Sequence, residues 1–198
     1  MAAKPAPPCV LRTFAPSDAA AFQTLRLQAL QAHPAAFLSS PEEQADMPLD
    51  AVAQGICPSP DSWAIGAWHN DQLVATMGLQ RHQPLKLAHK AEIWGVYVAP
   101  AFRGQGIAHA MLARTLSHAR SMQGLQQVQL GVLSSNHAAI ALCLRYGFVR
   151  LGRLRHNGLQ QQAHMVQHHG PAPELEADPM HAPPRTRAAP ATRRNCKK

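Results

Sequence analysis

Apolar positions along the chain change their period several times, and each change marks an element. Residues 10–14 predict an opening strand, and Pro16-Ser17-Asp18 supplies a turn and a helix start. Ala21, Leu25, Leu27 and Leu30 recur at helical spacing, so an amphipathic helix runs up to Pro34, which disfavours helix at the residue ahead of it. A weaker helix is predicted over 48–56. Ser62–His69 and residues 72–80 are apolar segments joined by Asn70-Asp71, a hairpin signature. Residues 91–98 are rich in β-branched and aromatic side chains and stop at Pro100, which predicts a third strong strand. Beyond Arg103-Gly104-Gln105-Gly106, the positions Ala108, Met111, Leu112, Thr115, Leu116 and Ala119 form the buried stripe of a long helix. Gln127–Leu133 alternates Val128, Leu130 and Val132 with polar or small residues and reads as a strand. Asn136 caps a helix through Tyr146 that Gly147 ends. Residues 148–154 and 159–167 form a last strand pair around Asn157-Gly158, another strong turn signal. The order β-α-α-β-β-β-α-β-α-β-β implies an α/β fold: a mixed, mostly antiparallel central sheet flanked by helices on both faces.

Composition changes this picture chiefly at the ends. The 198 residues are 46% hydrophobic, ordinary for a globular domain with a proper core. From Gly170 the sequence turns to Pro, Ala, Arg and Glu without periodicity, so 170–198 is expected to be a disordered basic tail. Residues 1–8 read as a flexible start, leaving 9–169 as one domain. The formal charge of +8 could attract nucleic acid, a membrane surface or a polyanionic cofactor. Arg185, Arg187, Arg193, Arg194, Lys197 and Lys198 place much of it in the tail, where only non-specific attraction to nucleic acid is expected. No apolar run is long enough for a membrane span and no signal-peptide h-region follows Lys4, so neither membrane nor export is expected. Cys9, Cys57, Cys143 and Cys196 are scattered and read as reduced thiols of a cytoplasmic protein. The twelve histidines show no ligand spacing, so no metal is expected.

The segment from strand 91–98 through the glycine turn into the long helix is where chemistry concentrates. A helix N-terminus presents unpaired N–H groups and about half a positive charge. Gly104 and Gly106 let the backbone approach a ligand and adopt left-handed angles, Ala108 keeps that approach open, and Arg103 can add a charge-assisted bond. Together they suit a pyrophosphate. The turn is neither a Walker loop nor a dinucleotide fingerprint, and a lone Gly-x-Gly is more often a plain strand-to-helix connection.

Val96-Tyr-Val-Ala-Pro-Ala-Phe-Arg-Gly-Gln-Gly-Ile-Ala108 resembles the acetyl-CoA motif of the GCN5-related N-acetyltransferase (GNAT) superfamily, whose core is Arg/Gln-x-x-Gly-x-Gly/Ala. Asn136-His-Ala-Ala-Ile-Ala-Leu-Cys-Leu-Arg-Tyr-Gly-Phe148 is similar to that family's next motif, Asn-x-x-Ala-x-x-Leu-Tyr followed by Gly-Phe. The resemblance spans about residues 10–167 and includes the element order. It implies acetyl-CoA as co-substrate, with the pantetheine arm along the strand backbone at Val96, Tyr97 and Val98. It also implies pyrophosphate at Arg103, Gly104, Gln105, Gly106, Ile107 and Ala108, and Asn136 near the pantetheine end. The implied reaction is direct attack of a primary amine on the thioester in a ternary complex, with a backbone donor stabilising the oxyanion.

The implied reaction needs a base and is helped by an acid, although CoA thiolate can also leave without a dedicated one. An alkylamine has a pKa near 10.4 and must lose a proton, for which Glu92 is the candidate; its alternative is a carboxylate paired with Lys90 or Arg81, or simply solvated. For the departing thiolate, Cys143 falls where the family's tyrosine stands, and Tyr146, three residues on, is the other candidate acid. The acceptor is a small molecule or a protein; Phe37, Trp63, Trp94, Tyr97, His156 and His164 are candidate walls, although Trp94 and Tyr97 face opposite ways on a strand without a bulge. Self-association into a homodimer stays open. The alternative function is a catalytically weak CoA-binding sensor or regulatory domain, suggested by Cys143.

Overall fold

The computed structural model describes residues 9–156 and 160–168, with the backbone alone for 153–156, 160–162 and 168. The expected flexible start, the Asn157-Gly158 turn and the expected tail lie outside the described residues, as does the side chain of His156. A seven-stranded sheet runs in the order β1-β2-β3-β4-β5-β7-β6, with β1 Val10–Thr13, β2 Ser62–His69, β3 Gln72–Arg81, β4 Lys90–Val98, β5 Gln127–Leu133, β6 Val149–His156 and β7 Gln160–His168. Neighbours pair antiparallel except β4 and β5, which are parallel.

The helices are α1 Ala19–Ala32, α2 Pro41–Ala45, α3 Leu49–Ile56, α4 Ile107–Ser121 and α5 His137–Arg145. The core divides into two clusters. In one, Phe22, Leu25 and Ala29 of α1 and Val52 and Ile56 of α3 join Phe14, Trp68 and Tyr97. In the other, Met111, Leu112 and Leu116 of α4 and Ile140 and Cys143 of α5 join Ile65, Leu79, Ile93 and Met165.

Local sequence explains most boundaries. Asn70 (φ 48°) and Asp71 (φ 60°) both take left-handed angles, the pair a two-residue hairpin needs. Asn136 accepts from the Ala139 N–H at 3.1 Å to start α5, and Gly147 (φ 79°) follows its end. Asp18 closes the first turn: it accepts from the Ala15 N–H at 2.8 Å and from Arg12 at 2.6 and 2.9 Å. Arg12 holds that carboxyl below its ordinary range.

Two expectations change. The helix count before β2 is three, because Ser40 and Glu43 form a capping box, Ser40 accepting from the Glu43 N–H at 3.1 Å and Glu43 from the Ser40 N–H at 2.9 Å. The buried face of α1 includes Phe22 and Arg26, while Ala21 and Leu27 are half-buried, because α1 packs against both the sheet and α3.

Candidate active site

Three features meet along β4. Its pairing with β5 consists of Lys90↔Gln127, Ala91↔Val128 and Glu92↔Gln129 and stops there, although both strands continue. Beyond Glu92 the two strands therefore part, leaving a gap with unpaired β4 backbone on one side. On its other edge β4 pairs with β3, with Gly78 opposite Trp94 and Thr76 opposite Tyr97, so Gly95 and Val96 together face the single residue Met77. That is a β-bulge, with Gly95 at φ 62°. The bulge also puts Trp94 and Tyr97 on the same face, against the α1–α3 cluster, which an unbulged strand could not do.

The third feature is the turn into α4. Gly104 (φ 74°) and Gly106 (φ 79°) are left-handed, and a Cβ added at either would meet nothing within 4 Å. Gly106 is the N-cap of α4 and offers no side-chain cap, so the first N–H groups of the helix face open space. Arg103 is exposed; its Nε donates to the Val98 carbonyl at 2.9 Å and its Nη2 lies 3.1 Å from His33 Nε2. Gln105 donates to the Ala101 carbonyl at 3.0 Å, while its Oε1 is buried without a hydrogen-bond partner.

A cleft of about 420 Å³ opens on the α1–α3 side of β4. Its apolar wall includes Phe22, Met47, Val52, Ile56 and Trp94; its polar groups include Arg26, Gln80, His82 and Glu92. Glu92 and Trp94 point the same way, two residues apart, while Ile93 packs on the α4 side. Arg81 pairs with Asp61 at 3.1 Å, and no ion pair to Glu92 is found among the described residues. His82 Nε2 lies 2.7 Å from Gln129 Nε2, tying the floor of the cleft to β5. Trp94 lies flat over Gly78, where a Cβ would come within 2.2 Å of the indole.

The two candidate acids sit on the α4 side. Cys143 is buried in the core, and desolvation pushes its thiol up to about 11. Tyr146 is half-buried, packs against the same core and donates its hydroxyl to the His109 carbonyl of α4 at 3.0 Å. Of the expected acceptor walls, Trp63 stacks on His118 of α4 at 4.7 Å and belongs to the opposite core, and His164 lies on β7 outside the cleft. Phe37 carries the Arg26 guanidinium over its ring at 4.5 Å.

Sequence reading missed Arg26, His82, Gln129 and the bulge. Only the bulge had a signal: Gly95, isolated inside a strand.

The gap between the parting parallel strands, the glycine turn at its end and the uncapped start of α4 form one continuous feature along β4. The model of the Acetyltransferase (GNAT) family matches residues 27–148, and the chain belongs to that family. It is 35% identical over 79 residues to a mycothiol acetyltransferase from Salinispora tropica, a match covering 40% of this chain and 26% of that protein. The chain thus spans about a quarter of that relative's length. Its fold is that of a GNAT acetyltransferase from Streptococcus pneumoniae (TM-score 0.68, 18% identity, 82% of this chain and 100% of the other). A putative acetyltransferase from Salmonella typhimurium, solved with acetyl-CoA, shares it at TM-score 0.65 and 19% identity, over 85% of this chain and 99% of that one. Among the described residues no helix is long and apolar enough to cross a membrane.

Proposed function

We propose that the chain moves an acetyl group from acetyl-CoA to a primary amine of a small molecule or protein, by direct attack in a ternary complex. The observation that carries this reading is the gap between β4 and β5 beyond Glu92 and Gln129, with bulged backbone along it and the glycine turn at its end. The pantetheine arm lies along Val96, Tyr97 and Val98 like an added strand. The N–H groups of residues 104–108 take the pyrophosphate, Arg103 adds positive charge beside them, and Asn136 stands at the start of α5 near the pantetheine end.

The amine enters from the cleft as an ammonium and loses one proton to Glu92, directly or through one water, and Glu92 passes it to solvent. The second proton leaves by the same route once the nitrogen is bonded to carbon. The amine nitrogen bonds to the thioester carbon, and the oxygen takes the negative charge beneath a backbone N–H past the bulge. The carbon–sulfur bond then breaks and CoA leaves as thiolate. We assign the returned proton to Tyr146, which is half-buried with its hydroxyl on the His109 carbonyl of α4, whereas the Cys143 thiol is enclosed in the core with its pKa pushed up to about 11. The free thiols of Cys9, Cys57 and Cys143 suit a reducing, cytoplasmic setting.

The test is calorimetry of acetyl-CoA with the full chain and with Gly106→Glu. The substitution places an L side chain at φ 79° and a negative charge where the pyrophosphate would sit, so affinity should fall at least about a hundredfold while the circular dichroism spectrum is kept. Unchanged affinity overturns the placement. Thiol release from acetyl-CoA across an amine panel tests turnover; tight binding with no turnover on any amine favours the CoA-binding sensor, to which Cys143 in the tyrosine's place would belong.

A further inference from the structure

Arg26 has no part in the reaction above, yet it faces the acceptor cleft. Its residue is 8% exposed, and its Nη1 is buried with no hydrogen-bond partner. The two ion pairs among the described residues are Arg12–Asp18 and Arg81–Asp61, so Arg26 has no carboxylate within bonding distance there. The guanidinium lies over the Phe37 ring, and its Nη1 is 3.9 Å from where a Cβ on Gly95 would be, which puts it beside the β4 bulge. Burial lowers its pKa, but arginine stays protonated, and a buried cation without an anion is costly. A cation held at that cost, on a side chain that lines a cleft, calls for an anionic ligand group.

We propose that Arg26 binds a carboxylate carried by the acceptor, so that the acceptor is a zwitterionic amine of the amino-acid class with an apolar body. Arg26 and the carboxylate of Glu92 both line the cleft, a charge pattern complementary to an ammonium and a carboxylate on one molecule. The planar fork of arginine matches a carboxylate through two parallel hydrogen bonds. A phosphate dianion would bring a second negative charge beside Glu92 with no second cation to meet it. Phe22, Met47, Val52, Ile56 and Trp94 provide the apolar wall for the acceptor's body. This inference rests on the acetyltransferase reading and goes further by fixing the class of acceptor.

The test uses matched pairs: phenylalanine against phenethylamine, and leucine against isoamylamine, each with acetyl-CoA and the full-length chain, followed by thiol release. The carboxylate-bearing member of a pair should have a kcat/KM about ten- to a hundredfold higher. In Arg26→Met that ratio should collapse to within about threefold, through the KM of the carboxylate-bearing member, with Arg26→Lys between the two. Wild-type preference for the plain amines, or equal use of both, overturns the inference without recourse to any variant. So does a ratio that survives Arg26→Met in folded protein, or no acetylation of any carboxylate-bearing member. Calorimetry with acetyl-CoA on the same samples separates the failures: no acetyl-CoA binding overturns the activity and this inference together, whereas binding with plain-amine preference overturns the acceptor class alone.

Discussion

Cys143 stands where its motif elsewhere carries tyrosine, and its surroundings are those of a core residue: 5% exposed, in the cluster with Ile107, Met111 and Phe148. Burial raises its pKa from the ordinary 9.0 to about 11. The unfolded chain therefore gives up this proton at a lower pH than the folded one. Between about pH 9 and 11 the folded state binds more protons, so this contribution to stability is complete below about pH 9 and is lost as pH rises toward 11. Denaturant midpoints at pH 7, 9 and 10.5 should fall with pH in the wild type and fall less steeply in Cys143→Ala. Parallel slopes would mean that the thiol is better solvated than its packing indicates. Turnover of Cys143→Ala within a few-fold of wild type, at equal folded fraction, is the expected companion result, because the proposed chemistry draws its acid from elsewhere.

At the scale of elements, what was readable in the chain is what short segments decide for themselves. Asn70-Asp71, Asn136 and the Gly104 and Gly106 turn each impose their geometry through neighbouring backbone, and each element follows at its expected place. The Ser40–Glu43 capping box is equally local and was legible in principle, but the helix it starts is five residues long and shows no apolar period. The bulge in β4 is different. It sits within an apolar run, and only the partner strand reveals that two residues face one, so Trp94 and Tyr97 share a face that alternation forbids. Arg26 was invisible for a related reason: on α1 alone it is an ordinary polar position, and it takes the tertiary fold to bring Phe37 and the β4 bulge against it. Gly78 belongs to this tertiary class. Adding a methyl there forces Trp94 off β3, because the Cβ would lie 2.2 Å from its ring. Gly78→Ala should cost roughly 1–3 kcal/mol in urea unfolding and raise the KM for the amine while leaving acetyl-CoA affinity alone. Unaltered amine KM would show that Trp94 does not shape the cleft.

Over the whole molecule, the proposed reading puts the two substrates on opposite sides of the sheet. The glycine turn leads from β4 into α4 on one face, while the cleft opens beneath α1–α3 on the other, and the parting of β4 from β5 is where the two sides communicate. Glu92 occupies the last paired position before that parting and points into the cleft, so its proposed task concerns the amine. Glu92→Gln keeps the size of the side chain and removes the base. It should lower kcat/KM for the amine by about 10²- to 10⁴-fold, the range for a lost general base, with calorimetric affinity for acetyl-CoA within twofold of wild type. The loss should shrink as pH rises toward the amine's own pKa, since free amine then arrives already deprotonated. A uniform loss at every pH would assign Glu92 to holding the β4–β5 junction, and a loss confined to acetyl-CoA binding would mean that the sheet does not divide the two substrates in this way.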